Sequence, residues 1–127
     1  LSLIEQVGLR TTVLDKLPNE LSGGQRQRIC IARALAVNPK IIVFDESVSA
    51  LDVSIQADVL NLLNKIKKEN QLTYIFISHD LSVIRFMSDR VMVLKSGEII
   101  EIGNSEEIFT HPTQAYTNEL FSLVLDS

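Results

Sequence analysis

Three places in this 127-residue chain carry side chains whose types and spacing could do chemistry. The first is Leu21-Ser22-Gly23-Gly24-Gln25, at a predicted helix start. Each glycine weakens a helix by about 1 kcal/mol relative to alanine, so a purely structural helix rarely begins this way. Bare backbone N–H groups, the Ser22 hydroxyl and the positive end of the helix dipole are presented there to an anion, and glycine permits close approach. A glycine-containing N-cap without a ligand explains the same residues as well. The second is Ile41-Ile42-Val43-Phe44-Asp45-Glu46, an apolar run ending in two carboxylates. An aspartate so placed holds Mg²⁺ on nucleotide phosphates, and a glutamate one residue on is positioned to accept a proton from an attacking water. One carboxylate capping a turn and one in solvent is the plainer alternative. The third is His79, a lone histidine whose interest depends on where the chain puts it.

The elements that must position these residues follow from periodicity. Leu1 to Val7 is amphipathic and stops at Gly8, which suits a left-handed helix cap. Residues 9–20 read as a connector containing Pro18. A helix runs from Ser22, its N-cap, to about Val37, and Asn38-Pro39 closes it. Ile41 to Asp45 is continuous β-branched and aromatic sequence, the pattern of a strand buried on both faces. After a turn at Ser49 to Asp52, with Asp52 or Ser54 as cap, Ile55, Val59, Leu62, Leu63 and Ile66 repeat at helical spacing up to Lys67-Lys68-Glu69-Asn70. A second buried strand spans Thr73 to Ser78. Strand, helix, strand is a βαβ unit with parallel strands, so Asp45-Glu46 and Ser78-His79 leave the sheet at the carboxyl edge, where open α/β folds bind ligands. Further on, Asp80 caps a short helix at Leu81 to Met87. Val91 to Leu94 and Glu98 to Ile102 form a hairpin around Lys95-Ser96-Gly97, and Ser105 to Phe109 and Thr113 to Leu125 are helical.

Composition narrows the function classes. Twelve Lys and Arg against sixteen Asp and Glu give a net charge of −4, and 46% of residues are hydrophobic, so the chain has the material for one folded core. An acidic total lacks the cationic footprint of phosphate-backbone binding, which argues against a nucleic-acid partner. The longest uninterrupted apolar runs have four residues, against the roughly 20 that cross a bilayer. Cys30, the single cysteine, can make neither an internal disulfide nor a multi-cysteine metal site, which fits a reducing compartment. The chain opens on Leu1 inside a helical pattern, so it is expected to be a piece of something longer.

Together these residues resemble the ATP-binding subunits of ABC transporters. Leu21 to Gln25, followed by Arg26-Gln27-Arg28, looks like the family signature; Asp45-Glu46 like Walker B and the catalytic glutamate; Ser49-Ala50-Leu51-Asp52 like the D-loop; and His79 like the switch histidine. Asp52-Val53-Ser54-Ile55-Gln56 and the His111-Pro112 tail are similar to the dipeptide, oligopeptide and nickel importer branch. Two departures stand out. Ser47 occupies the position where most relatives carry proline, and Thr113 follows Pro112 where the branch usually has tyrosine. The tail lacks the cysteine cluster that holds an iron–sulfur centre in some relatives, so none is expected.

The resemblance implies an α/β fold with a P-loop NTPase-type parallel sheet and flanking helices, plus a β-hairpin and a helical tail. It divides the chain into part of the helical subdomain (1–38, with the signature), part of the catalytic core (39–103) and a tail (104–127). No G-x-x-x-x-G-K-[ST] occurs, so this is expected to be the C-terminal part of a nucleotide-binding domain, with the P-loop, adenine-stacking aromatic and Q-loop upstream. Two such domains pair head to tail in the family. The implied ligands are ATP and Mg²⁺. Ser22, Gly23, Gly24 and Gln25 would contact the γ-phosphate held by the partner. Asp45 would hold Mg²⁺ through water, Glu46 would polarise the attacking water, His79 would stabilise the γ-phosphate, and Ser49, Ala50, Leu51 and Asp52 would link the two sites. The implied partners are a second nucleotide-binding subunit, identical or not, membrane-spanning permease subunits and, indirectly, an extracytoplasmic solute-binding protein, all serving import of a peptide or nickel. The expected location is the cytoplasmic face of the cell membrane. The rival readings are an ABC-type ATPase acting on nucleic acid or ribosomes, which should carry basic arms or a coiled-coil insertion, and an inactive fragment.

Overall fold

The computed structural model describes residues 2–125, so Leu1, where the first helical pattern was expected to begin, and the last two residues of the expected tail lie outside the described residues. The chain forms two compact units, one ending at Ile77 and the other beginning at Ser78.

In the first unit, α1 (Leu3–Gln6) starts on a capping box between Ser2 and Glu5. It ends in a Schellman pattern, the Gly8 N–H donating to the Glu5 carbonyl and the Leu9 N–H to the Ile4 carbonyl, with Gly8 at φ +70°. Arg28 donates to the Val7 carbonyl at 2.9 Å and so ties this end to α2 (Gly23–Leu35). The connector contains two short 3₁₀ turns, Thr11–Asp15 and Pro18–Glu20, where the sequence pattern shows only a loop. Their i→i+3 bonds need no amphipathic period, so hydrophobic spacing does not reveal them.

Strand β1 (Ile41–Asp45) pairs in parallel with β2 (Thr73–Ile77), Ile41 opposite Thr73 and Asp45 opposite Ile77, and α3 (Val53–Asn70) crosses between them. This is the expected βαβ unit. The expectation of strands buried on both faces is overturned. Ile42 and Phe44 are buried, but Ile41 and Val43 in β1 and Ile75 and Ile77 in β2 are each about half exposed. The reason is that these two strands carry a single covering helix layer. Tyr74 donates its hydroxyl to the Leu63 carbonyl of α3 at 2.9 Å, and Phe44 packs on Tyr74 and Phe76, all on the covered side. Val59, Leu63 and Ile66 are buried as the helical spacing predicts. Leu60 joins them, while Ile55 and Leu62 are only partly covered.

The second unit holds α4 (Leu81–Met87), capped by Asp80 through the N–H groups of Ser82 and Val83 as expected. The hairpin runs β3 (Arg90–Lys95) to β4 (Glu98–Asn104) through a two-residue turn, Ser96-Gly97, both at positive φ. Lys95 pairs with Glu98, so it belongs to the strand and not to the turn. Helices α5 (Ser105–Thr110) and α6 (Ala115–Leu125) complete the unit. Leu81, Val91, Val93, Ile108, Phe109 and Phe121 form its core.

The lead-in to helix α6 is held from a distance. The buried Glu101 of β4 accepts from the Thr113 N–H and hydroxyl at 2.8 Å each and from the Gln114 N–H at 3.3 Å. Thr117 is fully buried, and its hydroxyl makes no hydrogen bond of good geometry, yet its closeness contributes most to holding the Glu101 carboxyl down at about 2. The Thr113 N–H contributes next. A carboxyl lowered from 4.5 stabilises the folded unit at pH above 4.5, and that stabilisation disappears as pH falls toward about 2. Amide-exchange protection in α6 is therefore expected to decline across that window, and Glu101→Gln should flatten the decline. Protection that stays constant through it would contradict this role.

Candidate functional site

The Ser22 start of α2 is built as a reciprocal cap. The Ser22 hydroxyl accepts from the Gln25 N–H at 3.2 Å, and the Gln25 side-chain oxygen accepts from the Ser22 N–H at 3.0 Å. The expected N-cap is present, and Ser22 keeps its own O–H proton to donate. The N–H groups of Gly23 and Gly24 are the first two of the helix and meet no acceptor. Two bare amides and one hydroxyl proton at a helix N-terminus form a donor set that fits phosphate oxygens.

The two glycines differ in their surroundings. A Cβ on Gly23 would rest at an ordinary 3.5 Å from Leu51, whereas one on the buried Gly24 would come within 2.7 Å of the Ile55 γ-methyl. The start of α2 therefore lies against the Leu51 to Ile55 segment. Close approach of a ligand had been the expected reason for both glycines. At Gly24 the chain's own packing already requires one.

Asp45 and Glu46 are exposed at the carboxyl end of β1. The Glu46 N–H donates to the Ile77 carbonyl, extending the ladder one step, and the residue then turns to φ +50°. A left-handed φ costs a non-glycine residue roughly 1 to 2 kcal/mol and re-aims its side chain. Ser49 holds the turn through its hydroxyl, which donates to the Glu46 carbonyl at 2.8 Å. Gln56 of α3 reaches the Val48 carbonyl at 3.4 Å. Neither supporting role was legible in the sequence, since each depends on which carbonyl the turn exposes. Ser47, the residue in place of proline, leaves a buried hydroxyl without a partner. An orphaned hydroxyl of this kind costs about 1 to 3 kcal/mol.

Asp52 stands at the N-cap of α3, but its exposed carboxylate makes no cap bond; the backbone carbonyl takes the Gln56 N–H instead. Ser54 is not the cap. Ala50 is exposed and Leu51 half-buried in the same turn. His79 is exposed in the second unit, two residues past the end of β2. Among the described residues no group of three or more His, Cys, Asp or Glu is assembled to hold a metal ion. A lone exposed carboxylate such as Asp45 can contribute one ligand to a cation whose other ligands come from elsewhere. No helix of the described residues is long and apolar enough to cross a membrane.

Residues 1–49 match the family model described as ABC transporter. The chain is 56% identical over 122 residues, 96% of its length and 40% of the other protein, to the oligopeptide transport ATP-binding protein OppF of Streptococcus mutans serotype c. It is 53% identical over 124 residues, 98% of its length and 40% of the other, to the dipeptide transport ATP-binding protein DppF of Lactococcus lactis subsp. cremoris. The chain therefore spans about two fifths of the length of these curated relatives. Its fold matches a dimeric structure of a post-hydrolysis state of the ATP-binding cassette MJ0796 bound to ADP and Pi, with a TM-score of 0.68 and 38% identity, covering 81% of this chain and 44% of that one.

Proposed function

We propose that this chain belongs to the ABC transporter ATP-binding family and forms the part of an ATPase subunit bearing the signature, the catalytic carboxylates and the switch histidine, since residues 1–49 match the family model and relatives named for peptide transport align along nearly all of it. The whole protein hydrolyses ATP to drive import of a peptide. The observation that carries this reading is the exposed Asp45-Glu46 pair at the end of a parallel strand, with Glu46 turned to a left-handed φ. Peptide is favoured over nickel because the relatives are named for oligopeptide and dipeptide transport.

In this reading ATP lies between the P-loop of one subunit and Ser22, Gly23, Gly24 and Gln25 of the other. The Gly23 and Gly24 amides and the Ser22 hydroxyl proton donate to the γ-phosphate, where charge builds as the bond breaks. Asp45 would hold Mg²⁺ through water. When bound, that ion neutralises charge on the β- and γ-phosphate oxygens. Glu46 accepts the proton of the attacking water, with its backbone fixed by Ser49. His79 donates to the γ-phosphate, and the uncommitted Asp52 carboxylate communicates with the second site. The pairing is supported by the dimeric description of the structural neighbour. The remaining partners are permease subunits and, through them, a solute-binding protein, at the cytoplasmic face of the membrane. The functional division is 1–38, 39–103 and 104–127.

Magnesium-dependent ATP turnover by the whole protein tests the reading. Chelation should abolish turnover and added Mg²⁺ restore it, whereas the 127-residue chain by itself should show none, because a base and a magnesium ligand without a phosphate cradle cannot hold the nucleotide in line. Turnover by that chain, or turnover of the whole protein indifferent to chelation, would refute it. His79→Ala in the whole protein should spare ATP binding and lower turnover at saturation. The reverse pattern would remove His79 from the γ-phosphate.

A further inference from the structure

We propose that Ile55 is a positioning residue for the signature: its γ-methyl, seated where a Gly24 side chain would be, fixes the first turn of α2 against the first turn of α3. The inference rests on the ATPase reading, but its geometry does not. A Cβ on Gly24 would lie 2.7 Å from Ile55 Cγ2, inside van der Waals contact, while the neighbouring Gly23 has ordinary clearance to Leu51. Gly24 is buried and Ile55 half-buried, so the contact is largely closed to water. Both residues lie in the first turns of their helices, and Gln56, next to Ile55, is bonded to the Val48 carbonyl in the turn that follows Glu46.

This contact joins parts that the mechanism uses separately. The Gly23 and Gly24 amides precede it on one side, and Asp52 precedes Ile55 by three residues on the other. Close-packed interiors transmit displacement because they cannot be compressed. A shift of the Leu51 to Ile55 segment therefore carries the start of α2 with it, and the phosphate-facing amides and the Asp52 turn move as one body. The Ile55 side chain has no polar atom. Its effect passes entirely through Gly24.

The test is a double-mutant cycle in the whole protein, read by thermal unfolding and by steady-state ATPase kinetics. Gly24→Ala alone should lower the Tm and abolish turnover. Ile55→Ala alone removes the obstructing methyl and loosens the joint. It should lower kcat by about tenfold to a hundredfold, the scale of a small misplacement of reacting groups, and leave KM for ATP nearly unchanged. Gly24→Ala combined with Ile55→Ala should regain the Tm lost by Gly24→Ala and recover part of its turnover. Ile55→Val, which retains both γ-carbons, should give no such rescue. A double variant no better than Gly24→Ala in Tm, or rescue by Ile55→Val equal to that by Ile55→Ala, would overturn the contact. Ile55→Ala with normal kcat would overturn the positioning role even if the Tm is rescued. If the wild-type protein shows no ATPase activity at all, the ATPase reading fails by itself, and the Tm cycle still reports on the contact.

Discussion

Glu46→Gln in the whole protein is expected to slow ATP hydrolysis by about 10² to 10⁴, the range usual for loss of a general base, while ATP binding survives. Glutamine has the same shape and retains an acceptor, so the left-handed turn and its Ser49 bond should persist. What it loses is basicity. In the proposed arrangement the nucleotide is held elsewhere, by the amides of the signature and by the phosphate loop, so equilibrium ATP affinity should change little and the ATP-bound dimer should accumulate. Rapid-quench measurement of a single turnover, beside an equilibrium binding titration, separates these quantities. Near-normal turnover would assign Glu46 another task, and a parallel loss of binding would point to collapse of the turn.

The second large effect distinguishes the two glycines. Gly23→Asp places a carboxylate beside the proposed phosphate at a position with room for its Cβ, which would sit at 3.5 Å from Leu51. Turnover and transport should vanish together at an almost unchanged Tm, and each subunit should still bind ATP through its own phosphate loop. Gly24→Asp should abolish turnover as well, but with a substantially lowered Tm, because its Cβ collides with Ile55. In a heterodimer carrying one Gly23→Asp signature, nucleotide trapping should fail at the site whose phosphate loop belongs to the other subunit. Failure confined to the mutated subunit's own phosphate loop would refute the in-trans arrangement. Normal turnover by Gly23→Asp would remove this helix start from the site altogether.

Much of the fold was legible because it is encoded locally. Ser22 and Asp80 occupy the N-caps assigned to them, since N-capping depends on one side chain and the next three residues, and Gly8 takes the left-handed φ expected after α1. The parallel pairing of β1 with β2 followed from strand–helix–strand order, since a helical crossover returns the chain in the same direction. The exposed faces of Ile41, Val43, Ile75 and Ile77 were not foreseen. Hydrophobic sequence records what a strand prefers to be covered by, and cannot say how many layers the same chain supplies. At the site, the roles proposed for Ser22, Asp45, Glu46 and Asp52 were legible from their types and order. The φ of Glu46 and the Gly24–Ile55 contact did not, because one depends on how a turn resolves its strain and the other on two segments far apart in sequence.

The remote hold on the lead-in to α6 has a consequence for the order in which the second unit folds. An isolated eleven-residue helix is too short to persist in water, since nucleation costs more than so few bonds return. The carboxylate that holds the Thr113-Gln114 lead-in to the helix arrives from β4, and is in place only once the hairpin has closed at Ser96-Gly97. Helix α6 is therefore expected to dock after the hairpin, on the native side of the folding barrier. Interactions made there govern how fast the native state is lost while scarcely altering how fast it is reached. The Glu101 carboxylate acts as a latch on unfolding.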